Sequence, residues 1–170
     1  MLPWFLPGVA ISVVVSFAAS GAVGRAFGIR RAVAWAMVLS LGTILAATLT
    51  PQWEALAFGA RGRAYCDFTR IGLASFEELV SANDSGGNVL MFIPLGVTIG
   101  LVPRSRGKAA IAVAAIALPF AIETIQLLVP ALDRFCESAD VVDNLTGLVL
   151  GLAGGSVAGL LVGAVSRRPR

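Results

Sequence analysis

Histidine is absent from this 170-residue chain. That excludes Ser-His and Cys-His nucleophile pairs, histidine metal ligands and imidazole proton shuttles. Charge is scarce as well. Asp, Glu, Lys and Arg make up 14% of the residues, where a soluble domain carries about 25%. Hydrophobic residues reach 57%, and the mean hydropathy is +0.86. A soluble globular fold is excluded, and the expected class is an all-α integral membrane protein. The length suits one membrane domain, residues 1–170. No Lys or Arg precedes the first apolar run, so that run lacks the basic leader of a signal peptide. The net charge of +3 does not by itself read as nucleic-acid binding, because its meaning depends on where each charge lies.

Five spans are expected. The first is residues 2–24, with Pro3 and Pro7 at its start, where a helix tolerates proline. It is read as a retained transmembrane helix, with cleavage as a signal peptide the weaker alternative. The second is Ala32 to Leu49, closed by Thr50 and Pro51. Residues 51–87 form a polar loop. Within it Ser75-Phe-Glu-Glu78 fits a capping box, which predicts a short surface helix over about 75–82. The third span, about 88–102, is short for a bilayer, so residues before Asn88 are expected to contribute. Pro94 should kink it, and Gly96 and Gly100 give it a close-packing face. The fourth span is Ala109 to Val129, and the fifth is about 141–165. The fifth carries Gly147, Gly151, Gly155, Gly159 and Gly163, a glycine at every fourth residue. Residues four apart share a helix face, so these predict a groove along which another helix backbone can run.

Loop charges alternate. The 25–31 turn is +3, the 51–87 loop −2, the 104–108 turn +3, the 130–143 region −3 and the tail +3. Basic loops stay cytoplasmic, which predicts the N-terminus outside and the C-terminus inside. A four-span version with the first span removed keeps the same orientation. Cys66 and Cys136 both fall in loops placed outside on charge alone. An oxidising exterior permits disulfides, so a Cys66–Cys136 bridge is expected, stapling the long loop over the turn between spans four and five.

The same topology gathers polar residues at one depth. Glu123 is the only ionisable residue well inside a span, about 9 Å from the span's end at 1.5 Å per residue. A charge there is costly and faces the bundle interior. Gln126 shares its face. Asn88 opens span three, Arg134 lies in the joining loop, and Asp140 and Asn144 head span five with Gly147 one turn below. Asp140 also reads as an N-cap, its carboxylate accepting from first-turn amides.

These residues carry a family resemblance. Asn88-x-x-x-Phe92-x-Pro94-x-Gly96, then Glu123-x-x-Gln126, then Arg134, then Asp140-Val-x-x-Asn144-x-x-Gly147 resembles the VanZ-like family of bacterial membrane proteins. The motifs cover residues 84–155. The resemblance implies the bacterial cytoplasmic membrane as the location and Asn88, Glu123, Gln126, Arg134, Asp140 and Asn144 as ligand-binding residues. No cofactor and no resident metal are expected. The family's name comes from a protein associated with teicoplanin resistance. Asp143 departs from the pattern and takes no role from it, and spans one and two carry none of the motifs.

Three functions fit this frame. One is a non-enzymatic envelope protein whose outward polar pocket binds a lipid head group, a cell-wall precursor or a lipoglycopeptide. The second is an intramembrane enzyme on lipid-linked substrates, with Glu123 and Asp140 as acid and base, or with Asp133, Asp140 and Asp143 around a divalent cation. The third is a proton- or ion-coupled carrier. Below Glu123 no span carries another ionisable group, which counts against a carrier. The first is favoured, with membrane lipids as surroundings, no nucleic-acid partner and no oligomeric state implied.

Overall fold

The computed structural model describes residues 4–59, 65–80 and 84–166. The chain is mostly helical. Its long helices are α1 (Phe5–Phe27), α2 (Arg31–Thr48), α5 (Asp84–Gly100), α6 (Arg106–Leu128) and α7 (Ser138–Ser166). Two short helices, α3 (Trp53–Phe58) and α4 (Phe76–Val80), lie in the loop between α2 and α5. A 3-10 turn, Pro130–Leu132, follows α6.

Among the described residues four helices are long and apolar enough to cross a membrane: α1, α2 taken together with α3, α6 and α7. The helix of the expected third span, α5, is apolar but shorter. Its 17 residues rise about 25 Å, below the ~30 Å of a hydrocarbon core. Residues before Asn88 do extend it, back to Asp84. It runs unbroken through Pro94, and α6 likewise through Pro119.

What α5 lacks in length it has in burial. Phe92, Leu95, Thr98, Ile99 and Val102, on and just beyond it, are all buried. Phe92, Leu95, Ile99 and Val102 meet Met37 and Ile44 of α2, Ala115 and Ile122 of α6 and Leu148 of α7 in one core. The α5–α7 contact is made by backbones. A Cβ added at Gly147, Gly151 or Gly155 would sit 2.1, 2.2 or 2.1 Å from a carbonyl oxygen of α5. A Cβ at Gly96 or Gly100 would sit 2.3 or 2.7 Å from a carbonyl oxygen of α7. Only glycine permits this approach. Gly159 and Gly163 make no such contact, because α5 ends at Gly100, opposite Gly155.

The first two helices form a hairpin of the same kind. Gly28, in the left-handed region at φ 64°, ends α1, and Ile29 N–H donates to the Gly24 carbonyl. Ser12, Ser16, Ser20 and Gly24, each four residues apart, are the buried face of α1. Each serine returns its hydroxyl to a carbonyl of its own helix, so the face is small and internally satisfied. A Cβ at Gly42 of α2 would meet the Ser12 hydroxyl at 2.3 Å. The sequence reading missed this small-residue face, although its spacing matches that of α7.

One small piece of sheet accompanies the helices. Cys66–Asp67 (β1) and Cys136–Glu137 (β2) pair as a two-residue parallel bridge, with Cys66 opposite Cys136. The expected disulfide joins those two residues, with Cα atoms 4.5 Å apart. The disulfide therefore holds two otherwise irregular segments close enough to share backbone bonds. The expected capping box is present. Ser75 N–H and Oγ donate to Glu78 Oε2 at 2.7 and 2.8 Å, and Glu78 N–H donates to Ser75 Oγ at 3.3 Å. Residues 81–82, the end of the expected 75–82 helix, lie outside the described set, as do the arginines of the tail.

Candidate functional site

The site begins at the end of α2. The last four carbonyls of a helix have no partner within it. Here all four are answered. Leu49 N–H donates to Leu45 O at 2.9 Å, and Thr50 Oγ1 to Ala46 O at 2.8 Å. Arg134 Nη2 donates to Ala47 O at 2.6 Å, and Gln126 Nε2 to Thr48 O at 3.0 Å. The guanidinium also places positive charge at the negative end of the helix dipole. Two of the expected site residues thus close α2 from outside. That sets the position of α6 and of the loop after it.

Glu123 stands one turn before Gln126 and is 5% exposed. Its Oε2 accepts the backbone N–H of Glu137 at 2.8 Å. Glu137 follows Cys136 in β2, so the disulfide bridge presents that amide to the carboxyl group. The helix α7 starts at Ser138, and Asp140 lies in its first turn. Asp140 is therefore not the N-cap residue that the sequence suggested, because the helix begins two residues earlier. Its carboxyl still faces the positive end of the helix dipole.

Asn88, Glu123, Gln126, Arg134, Asp140 and Asn144 line one cavity of about 380 Å³. Ala47, Thr48, Gln52, Gly87, Met91, Phe135 and Glu137 complete its wall. Gln126 and Asn144 are 5% and 1% exposed. Gln126 Oε1 and Asn144 Oδ1 are nevertheless buried without a hydrogen-bond partner. Such an atom costs about 1–3 kcal/mol in a protein interior. Two of them on one wall mark a place where donors from outside the chain would be gained.

A family model described as VanZ/LLP1 matches residues 34–159. The chain belongs to the VanZ/LLP1 family. The match is wider than the 84–155 stretch that carries the motifs and takes in α2, whose last carbonyls hold Arg134 and Gln126. No curated protein and no solved structure matches the chain.

In this VanZ/LLP1 member the acidic trio does not form a metal site. Among the described residues no group of three or more His, Cys, Asp or Glu is placed to hold a metal. Asp143 turns away from the cavity. It is 1% exposed and forms a two-pronged ion pair with Arg70, whose Nη1 bonds Oδ1 at 3.2 Å and whose Nη2 bonds Oδ2. Arg70 also donates to Gly72 O and Ser85 Oγ, and its own carbonyl accepts from Ser138 Oγ at 2.8 Å. The hydrogen bond to Asp143 pushes the Arg70 guanidinium above its ordinary pKa against the opposing effect of burial. One residue thereby fastens the long loop to both α5 and α7.

The sequence reading set Asp143 aside and missed Arg70. A usable signal was present. An acid inside an apolar helix requires a counter-ion. The expected disulfide already brought Arg70, four residues after Cys66, toward the head of α7.

Proposed function

We propose that this VanZ/LLP1 protein is a non-enzymatic component of the bacterial envelope. Its polar cavity opens on the outer side of the cytoplasmic membrane and binds a lipid head group, a cell-wall precursor or a lipoglycopeptide. Binding of that kind would lower a glycopeptide's access to its target and contribute to teicoplanin-type resistance. The observation that carries the reading is the pair of buried, unpartnered amide oxygens, Gln126 Oε1 and Asn144 Oδ1, on the wall of one polar cavity. The disulfide supports an outward position, since such bonds persist in oxidising compartments. The enzyme reading has less behind it. Glu123 and Asp140 share the cavity, but no histidine exists to relay a proton.

The test is mass spectrometry of species that copurify with the protein, before and after Asn144→Ala. A lipid or precursor lost from a variant that keeps its unfolding temperature is the expected result. An identical copurified set in both proteins would refute the reading. A chemically altered species accumulating only with the parent would move the protein into the enzyme class.

A further inference from the structure

A second cavity, of about 500 Å³, shares two residues with the first. It lies between α6 and α7 beneath the disulfide. Phe120, Leu127, Val141 and Leu145 form much of its wall. Glu123 and Glu137 line both cavities, so the polar and the apolar space meet across the same two side chains. Phe68 and Ile71, at the edge of the apolar cavity, are 67% and 70% exposed. Each volume is in the range of small-molecule sites, about 300–1,000 Å³. Side by side they match an amphiphile better than two separate ligands.

The head chemistry follows from the wall of the polar cavity. It carries three carboxyl groups, Glu123, Glu137 and Asp140, and one guanidinium, Arg134. Arg134 spends a donor on the Ala47 carbonyl. Gln126 Oε1 and Asn144 Oδ1 add two acceptors with nothing to accept from. The wall is acidic and rich in acceptors. An anionic head would face like charges in a space partly shielded from water, where repulsion is strong. A cation that donates hydrogen bonds meets both requirements, and a primary ammonium has a charge and three donors.

We propose that the two cavities hold one amphiphile, its ammonium-bearing head in the polar cavity and its hydrocarbon chain in the apolar cavity between α6 and α7. This rests on the proposed binding function and names the ligand's class. The chain then passes Glu123 as it leaves the head, which explains why that side chain lines both spaces.

The experiment uses the full chain in phosphatidylcholine nanodiscs with two independent readouts. The probe is a long-chain primary alkylamine bearing a diazirine at the chain end. Its controls are the N-acetylated amine and an alkyl phosphate of equal chain length. Crosslinking mapped by mass spectrometry reports the chain. Alkylation of a Gly87→Cys thiol reports the head, since a Cβ at Gly87 meets nothing within 4 Å and the residue lines the polar cavity.

The expected result is labelling within 120–127 and 141–145, at least about tenfold stronger for the amine than for either control, or about 1.4 kcal/mol. Thr124→Phe, at an exposed position lining the apolar cavity, should remove that labelling and leave the thiol protected by a short-chain amine. Equal labelling by the phosphate would overturn the head chemistry. Thiol protection with crosslinks only on other faces of the bundle would overturn the chain site and leave the proposed function standing. Failure of the amine and of both controls to protect the thiol would overturn the amphiphile site, while the proposed function falls only if the copurified set is also unchanged by Asn144→Ala.

Discussion

Asp143 and Asn144 are neighbours on α7, and each is 1% exposed. They end in opposite situations. Asp143 is closed by Arg70, which the loop delivers from 73 residues away. Asn144 faces the polar cavity with an amide oxygen that nothing in the chain answers. Burial alone therefore does not separate a polar residue that the fold completes from one that it leaves open. What separates them is whether the chain supplies the partner. The first side of the α7 head is finished by folding. The second is left open by folding, and the proposed ligand would finish it.

The strongest perturbation acts on both sides at once. Cys66 and Cys136 close a loop spanning 70 residues, and they hold Arg70 near Asp143 and the Glu137 amide on Glu123. Loop-closure entropy alone assigns about 4 kcal/mol to such a bridge. The double change Cys66→Ser with Cys136→Ser should lower stability by about that amount, read from the unfolding midpoint in detergent. A loss below about 1 kcal/mol would mean that the ion pair and the Glu123 bond hold the loop without the disulfide.

Arg70→Ala isolates the finished side. Removing one partner of a buried pair costs about 3–5 kcal/mol because the other charge is left unpaired. The Arg70 side chain is 28% exposed, so the low end, about 3 kcal/mol, is expected. Adding Asp143→Leu should restore most of it, since no buried charge then remains. If the double variant is no better than Arg70→Ala, the contacts to Gly72 and Ser85 carry the effect and the contrast with Asn144 weakens.

Asn144→Leu isolates the unfinished side and should act with the opposite sign. Leucine branches at the same atom as asparagine and has no unsatisfied oxygen to bury. Stability should hold or rise, by about 1 kcal/mol at the low end of the penalty for such a group, while copurified ligand is lost. A drop comparable to that of Arg70→Ala would show that Asn144 is structural too.

Much of the comparison was legible before any coordinates, and the missing part has a physical cause. Spacing within one helix is explicit in a sequence. It exposed the small-residue face of α7, the Glu123–Gln126 face and the capping box, and it offered the small-residue face of α1 as well. Partners between distant segments are not explicit. The disulfide was an exception, because two cysteines in a chain with no others allow one intramolecular pairing. The Arg70–Asp143 pair and the closing of the α2 carbonyls by Arg134 and Gln126 depend on how α2, α6 and the loop meet. No local pattern encodes that. A family pattern gathers the cavity's polar residues without saying which of them the fold already employs, and Gln126 is employed on one atom and open on the other.

The smallest effect concerns a polar closure that is complete but fully in water. Glu78 accepts from the backbone N–H and the hydroxyl of Ser75, and these bonds hold its carboxyl below the ordinary 4.5. A depressed folded pKa means that the unfolded segment binds more protons through that window. The contribution is therefore present above the ordinary pKa and is lost as pH falls through the depressed one. Amide exchange across α4 (Phe76–Val80) should be faster in Glu78→Gln than in the parent at neutral pH. The two should converge on acidification, with the pH dependence of intrinsic exchange cancelled by taking their ratio. Global stability should not move measurably, since an exposed capping interaction governs only local opening. A difference that persists at low pH would show that the neutral side chain of Glu78 caps as well as the charged one. Burial would then be less decisive than the Arg70 pair implies, because a complete polar closure would be indifferent to charge even where water competes for it.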